Sequence, residues 1–433
     1  MIEDAPVLDT EKFGEAAELL LNPDLSPVFN KIEREYLYWD KVKYLAPVGI
    51  QPKMLWQAVK MQRFGNAREL VFGKYRFRFT VTSFMQELLH EFDMNFGGYL
   101  GSESIIPEAN QHVFLISSLM EEAIASSQME GASTTRRVAK DMLRKQLKPK
   151  DKSQQMIVNN YSTIKYLIEH KSEKFSVDKI LEIHRYITSR TLDNPEDEGR
   201  FRSDDSICVM NGMTGDVAHT PPSFSEVPEL IRLLCGFADQ ENHENFIHPI
   251  IKGIIIHFLL AYIHPFVDGN GRTARSLVYW YLLQKRYWIT EYLSISRIIY
   301  KNKNQYEKAF LYTEHDGLDL SYFIYYNLVT MKKAYIELKE YLGRKIRQQN
   351  SLLQFRKVEG INERQAQILS WFIDAPSSVF TAGELAVRFA VSSKTARSDL
   401  NWLVEKGYLN EISLNKRKIG YVRSEKFQEI LGK

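Results

Sequence analysis

The sequence predicts a mainly α-helical protein in which one short β-hairpin interrupts the helices and a small, separate unit closes the chain. Three observations carry that prediction. Long segments such as QHVFLISSLMEEAIASSQME (111–130) and FIHPIIKGIIIHFLLAYIH (246–264) space apolar residues three and four apart, the period of a helix. SICVM (206–210) and DVAHT (216–220) form the clearest extended pair, and the NGMTG between them suits a hairpin turn. At 433 residues the chain is too long for one core, and its composition changes near residue 350.

Taken in order, residues 1–105 mix short helical patterns with loops and five prolines, and are expected to form an N-terminal helical region that serves packing. Residues 106–349 form the central domain, and a charged helix from about Leu318 to Gln349 leads out of it into residues 350–433. No internal repeat or low-complexity tract interrupts this plan. An apolar fraction of 44%, with 24 Phe and 23 Tyr, excludes a disordered chain. A net charge of +3 sets up no overall field for nucleic acid or membrane, so any such role must be local. Two cysteines, Cys208 and Cys235, exclude a disulfide framework and any CxxC metal or redox pattern. The stretch 249–263 carries Lys252 and His257 and falls short of the ~20 residues a bilayer requires, so it reads as a buried helix. With an acidic start, MIEDAPVLDTEKF, the expectation is a cytoplasmic protein with no membrane partner.

From Asn362 the pattern is a helix (NERQAQILSWFIDA), a shorter helix opening at Thr381, a turn VSS and a third helix KTARSDLNWLVEKGYL. Ser392 or Ser393 can cap the third helix, Gly407 can end it, and two strands follow around a basic turn. This spacing resembles a winged helix-turn-helix domain. Residues 346–433 carry 14 Lys and Arg against 9 Asp and Glu, so the positive charge is concentrated here. Lys394, Thr395 and Arg397 would face DNA from the third helix, and Lys416, Arg417 and Lys418 would tip the wing. Such domains also dock proteins, so DNA contact and protein contact both stand as expectations.

HPFVDGNGRTAR (264–275) concentrates the chemistry. Pro265 stops the preceding helix, a new one begins near Gly271 or Arg272, and the motif is therefore a helix-to-helix loop. Gly269 and Gly271 free the backbone to adopt positive φ and let a ligand approach main-chain N–H groups, which at a helix N-terminus favour an anion. Arg272 and Arg275, three apart, are expected to face the same ligand with two guanidinium forks. Asp268 offers the single carboxylate that Mg²⁺ commonly takes beside nucleotide phosphates. His264 is the only side chain in the motif able to accept a proton near neutral pH. GNGRTA also satisfies the G-x-G-x-x-A dinucleotide fingerprint, with Glu291 twenty residues beyond Gly271, but that fingerprint needs a preceding strand and here a helix precedes it.

At every defined position HPFVDGNGRTAR matches the signature of the Fic domain family, which the chain resembles over roughly residues 110–340, including GRFRSDDSICVM, AHTPPSFSEVPEL and LSISRIIYKNKNQYEKAF. The resemblance implies a Fic-type helical bundle and the transfer of AMP from ATP to a target protein's Ser, Thr or Tyr hydroxyl. His264 would deprotonate that hydroxyl, Asp268 would hold Mg²⁺, Gly269, Asn270 and Gly271 would seat phosphates, Arg272 would bind the inner phosphates and Arg275 the γ-phosphate. Glycine at 271, where the kinase-like Doc branch has lysine, implies AMP transfer rather than phosphate transfer. The hairpin at 206–220 would align an extended target segment, with Ile207, Val209 and His219 as its contacts.

Upstream, Ser126 and Glu130 in EAIASSQMEGASTT share one helix face and Gly131 can end that helix. This S-x-x-x-E-G resembles the inhibitory motif of the Fic family, here within a helix at about 111–131. The resemblance implies that Glu130 pairs with Arg275 and holds resting activity low, and in some relatives such a glutamate also positions a water that removes AMP. The implied co-substrate is ATP with Mg²⁺, and the implied partner a hydroxyl-bearing protein, this chain included; a homodimer is compatible. Two alternatives stand beside this one: a DNA-binding regulator whose central domain is idle, and an enzyme of the same fold using another nucleotide donor.

Overall fold

Helix Pro249–Ile263 is apolar around its whole circumference, and the fold buries it on all sides. Ile250, Ile255, Phe258, Leu259 and Ile263 are fully enclosed. Gly253 lets the next helix approach closely, since a Cβ there would lie 3.2 Å from Cδ1 of Tyr281. That neighbour is helix Asn270–Gln284, and helices Gln111–Met129, Lys152–Glu169 and Val177–Thr188 pack around it. The computed structural model describes residues 2–96, 111–210, 215–240, 245–355, 358–415, 418–425 and 427. It divides into two compact units, Met1–Ile336 and Glu337–Lys433, with helix Ser321–Phe355 running through the boundary.

The protein is mainly helical, as its periodicity implies, and three antiparallel strand pairs are seen among the described residues. Two of the pairs match expected hairpins. The central one is shorter than expected, Val209–Met210 against Val217–His219, with a register shift between Val209 and Met210; four residues of its turn, 211–214, lie outside the described residues. The third pair, Arg68–Phe72 with Tyr75–Phe79, was not expected in a region read as helix and loop. Its signal is present in RELVFGKYRFRF: a two-residue Gly-Lys connection between alternating segments, with Gly73 at φ 58°.

This N-terminal hairpin has a positioning use. Arg78 exchanges main-chain hydrogen bonds with Leu318 (3.0 Å) and Leu320 (2.7 Å), in the loop that follows helix Lys303–His315. The same loop carries Asp316 and Asp319, which meet Lys60 (2.8 Å) and the Tyr36 hydroxyl (2.8 Å) respectively in a nearly dry setting. Arg63, 2% exposed, donates to Glu33, Tyr322 and the Leu37 carbonyl, so its charge is paired and its donors are used. The N-terminal region therefore fixes the C-terminal end of helix Lys303–His315.

The second unit contains helices Glu363–Asp374, Ala382–Phe389 and Ser393–Glu405, and strands Leu409–Asn415 and Lys418–Arg423. Its boundaries follow the residues that cap it. Asn362 and Gln365 form a reciprocal capping box, Thr381 accepts from the Glu384 N–H, Ser392 accepts from the Thr395 N–H, and Gly407 leaves the third helix at φ 78°. Phe380 bridges to Tyr421 and adds a third short element to the sheet. Leu369, Phe372, Leu385, Leu400, Leu403 and Tyr421 make the core. Among the described helices none is long and apolar enough to cross a membrane.

Candidate active site

The site is built at the bend between helices Pro249–Ile263 and Asn270–Gln284. His264 ends the first helix in the left-handed region, φ 48° and ψ 59°, its N–H still bonded to the Leu260 carbonyl. A non-glycine residue there is strained by roughly 1–2 kcal/mol, and the surrounding structure must hold it. Arg202 supplies much of that hold: its Nε donates to the His264 carbonyl (3.1 Å), its own N–H to Pro265 O (2.9 Å), and its remaining nitrogens to Asp205, Asp204 O and Pro222 O. One buried guanidinium thus ties the bend to the roots of the hairpin.

The histidine ring donates through Nδ1 to the Ala261 carbonyl (3.2 Å), which leaves Nε2 as the acceptor. Burial lowers its pKa to about 4, so the imidazole is neutral at physiological pH.

The loop itself is held from below by helix Val177–Thr188. His184, fully buried, accepts the Gly199 N–H on Nδ1 (3.0 Å) and donates from Nε2 to Asp268 O (2.9 Å), and its ring stacks on Phe266 at 3.7 Å. Desolvation lowers its pKa to about 4, matching that single neutral tautomer. Gly269 has φ 85°, and a Cβ there would sit 2.7 Å from Cγ2 of Thr188. The side chain of Asn270 is committed to the loop, accepting from Phe266 N (2.9 Å) and donating to Phe266 O (2.7 Å), so only its main chain remains for a ligand.

Gly271 departs from expectation. It lies inside the helix, which begins at Asn270, and is absent from the positive-φ residues. Its reason is space: a Cβ would meet Oε1 of Glu130 at 2.2 Å.

The two arginines also part company. Arg275, 4% exposed, donates from Nε to Ser126 Oγ (2.9 Å) and from one terminal nitrogen to Ser126 O (3.0 Å) and Glu130 Oε1 (2.8 Å). Arg272, fully buried, turns instead to the Ile187 carbonyl at the end of helix Val177–Thr188 (3.2 Å) and to Asp268 Oδ1 (3.5 Å), leaving its Nε without a partner. Asp268 Oδ1 also accepts the Gly269 N–H (2.5 Å), while its side chain is 46% exposed.

Helix Gln111–Met129 ends just before Glu130, with Gly131 at φ 92° and Ala132 N bonded back to Ser127 O (3.0 Å). The close guanidinium holds the Glu130 carboxyl below the usual range despite burial.

A cavity of about 320 Å³ gathers these groups: Glu130 and Met129, His264, Asn270, Gly271 and Arg275, and from the hairpin Val209 and His219. Ile207, Asp268, Gly269 and Arg272 do not line it. His219 is bonded to Glu314 (2.7 Å) and to the Tyr262 carbonyl (2.7 Å). The far wall comes from helix Lys303–His315, through Lys303, Tyr306, Glu307, Phe310 and Glu314; the first four lie in the matching segment LSISRIIYKNKNQYEKAF, but no site role was read for any of them. Among the described residues no three His, Cys, Asp or Glu side chains cluster as metal ligands.

In the second unit Lys394 and Arg397 are exposed on the third helix, while Thr395 is half-buried with its hydroxyl 2.8 Å from Ser392 Oγ. Lys418 opens the last strand and is exposed; Lys416 and Arg417 lie outside the described residues.

Fold and site together define a helical domain organised around the loop that joins two buried helices. Residues 174–282 match the Fic/DOC family and residues 364–422 an HTH domain, and the chain accordingly carries one of each. A Protein adenylyltransferase Fic from Nematostella vectensis is 35% identical over 108 residues, which are 25% of this chain and 23% of that one. The Drosophila melanogaster protein of the same name is 32% identical over 112 residues, 26% of this chain and 20% of that one. The matched region thus spans under a quarter of the length of these curated relatives. A Fic family protein from Desulfovibrio desulfuricans G20 shares the fold at a TM-score of 0.53 and 18% identity, covering 80% of this chain and 98% of that one. A Fic-1 fragment from C. elegans does so at 0.51 and 15%, covering 78% and 88%.

Proposed function

We propose that this protein is a protein adenylyltransferase that transfers AMP from ATP to a hydroxyl side chain of a target protein and is held at low activity by Glu130. The observation that carries the reading is the gathering of His264, Arg275 and Glu130 on one cavity beside the start of helix Asn270–Gln284. Neutral His264, with Nε2 free to accept, takes the proton from the target hydroxyl, whose oxygen attacks the α-phosphorus of ATP as pyrophosphate leaves. Main-chain N–H groups at Asn270 and Gly271 and the guanidinium of Arg275 receive phosphate oxygens, so catalysis consists largely of positioning. Arg272, buried against Asp268, adds positive charge beneath the loop and holds that carboxylate in place.

Asp268 fits a magnesium ion: it is a half-exposed carboxylate whose Oδ1 is oriented by the Gly269 N–H, and one such carboxylate suffices beside phosphates. When bound, the ion would neutralise phosphate charge. The hairpin strand Val209–Met210, bordering the same cavity, receives the target segment.

Glu130 occupies the guanidinium that the γ-phosphate needs and keeps bound ATP misaligned. The test is incubation of the Glu130→Gly variant with α-labelled ATP and magnesium in a cell lysate. Labelled protein that disappears with His264→Ala supports the reading; no label in either sample overturns it.

The exposed Lys394 and Arg397 favour DNA as the partner of the HTH domain. Duplex affinity that falls as salt rises supports phosphate contact, and a flat response removes it.

A further inference from the structure

The Glu130–Arg275 pair is one end of a longer polar stripe. Glu122, Ser126 and Glu130 stand four residues apart, so they share the face of helix Gln111–Met129 that continues into Glu130. Ser126 and Glu130 take Arg275. Glu122, 2% exposed, takes a different partner: its Oε2 accepts the Ser296 N–H (2.9 Å) and the Ser294 hydroxyl (3.4 Å), and its Oε1 the Ser296 hydroxyl. Ser296 is itself 1% exposed and lies at the start of helix Ile295–Lys301, which leads directly into the cavity wall, helix Lys303–His315. From that wall Lys303 reaches back to the Met129 carbonyl (3.3 Å), at the other end of the stripe. The Gln111–Met129 helix is thus fastened at Glu122 to the helix that leads into the wall and at Met129 to the wall itself, with the Ser126–Arg275 contact between.

We infer that Glu122 is a positioning residue of the resting state, locking the rotation and register of its helix so that Ser126 and Glu130 meet Arg275. The inference rests on the adenylyltransferase reading. A carboxylate buried to this degree and satisfied by three donors is a fixed point, because moving it exposes unpaired groups on both sides. Burial pushes its carboxyl up, and the serine donors oppose that shift. Ser126 and Glu130 lie one and two turns further along, so a small rotation at Glu122 carries both away from Arg275. Glu121, its neighbour, faces elsewhere and pairs with Arg136 and Lys140, so the function belongs to one face only.

The test is a cycle on the full chain. Glu122→Gln, which keeps the side-chain volume, and Glu122→Ala are each made alone and together with Glu130→Gly, and the initial rate of AMP incorporation is measured at saturating ATP and magnesium. If Glu122 acts through Glu130, Glu122→Ala raises the resting rate about tenfold and Glu122→Gln by less, while neither alters the Glu130→Gly rate by more than about twofold. An unchanged resting rate in both variants, with Glu130→Gly active, overturns the inference and leaves the reading intact. An equal multiple in both backgrounds also overturns it, since Glu122 would then act on the site by another route. Should Glu122→Ala fail to fold, Glu122→Gln carries the same two outcomes. If Glu130→Gly itself gives no increase, the inhibitory reading fails first and this inference with it.

Discussion

Replacing Glu130 with glycine removes one carboxylate from the guanidinium of Arg275 and leaves the rest of that arginine's surroundings in place. The carboxylate lies 2.8 Å away with its own side chain 27% exposed, while Ser126 still offers its hydroxyl and carbonyl after the change. A charge-assisted hydrogen bond of this kind contributes about 1.5–3 kcal/mol. If that free energy opposes productive seating of the triphosphate, its removal raises transfer by about 10- to 150-fold, at roughly 1.4 kcal/mol per decade. The assay is the initial rate of label transfer from α-labelled ATP, on a target or on the chain itself, compared with the parent protein. Glu130→Gln provides the control, because it keeps the volume that fills the space beside Gly271 but loses the charge; an intermediate rate is expected. A Glu130→Gly rate within twofold of the parent, in a preparation where His264→Ala is dead, refutes the reasoning.

Four further outcomes follow from the same geometry. His264→Ala abolishes transfer in the Glu130→Gly background while leaving the melting temperature within a few degrees, because the ring makes one long hydrogen bond; persistent labelling removes His264 from the mechanism. Gly269→Ala forces a Cβ to 2.7 Å from Thr188 Cγ2 at φ 85° and should cost about 2–4 kcal/mol in urea unfolding; a neutral result would show that the loop relaxes freely. His184 and His257 are buried with pKa values lowered to about 4 and about 3, so the folded state binds fewer protons than the unfolded chain between those values and 6.5. Stability therefore rises with pH through that window and is lost on acidification from about 6.5, by ~3 kcal/mol or more for each histidine once complete; equal unfolding midpoints at pH 5 and 7.5 would contradict this. In the HTH domain, Arg397→Ala and Lys394→Ala should each lower the salt slope of duplex binding by about one, and an unchanged slope excludes these contacts.

What the sequence revealed was mostly what single residues dictate locally. Pro265, Gly131, Gly407 and Ser392 each act within a turn or so of their own position, and the ends of three helices followed from them, whereas the helix expected to begin near Gly271 or Arg272 begins at Asn270. The Glu130–Arg275 contact was expected from resemblance, and the geometry adds why position 271 is glycine: the space belongs to the carboxylate, and φ is ordinary. Partners distant in sequence were not legible. Arg272 and Arg275 are three apart on one helix, yet one meets a helix end at Ile187 and the other a helix at Ser126, a divergence that their spacing alone did not show. His184 gave no local signal, and Arg202 stood in the matching segment GRFRSDDSICVM without a role read for it, because their work is to satisfy carbonyls 84 and 62 residues away. The hairpin at Arg68–Phe79 was legible in its alternation and Gly-Lys connection but was masked by the prolines and helical fragments around it.

The central claim is that the loop from His264 to Arg275 hands an adenylyl group to a hydroxyl. Its most direct measurement is the intact mass of the Glu130→Gly protein, and of any labelled target, after incubation with ATP and magnesium, with the modified residue located by fragmentation. The account predicts a gain of one adenylyl group on a Ser, Thr or Tyr, with pyrophosphate released and no gain in the His264→Ala counterpart. A gain of one phosphate, or an equal gain without His264, would contradict it.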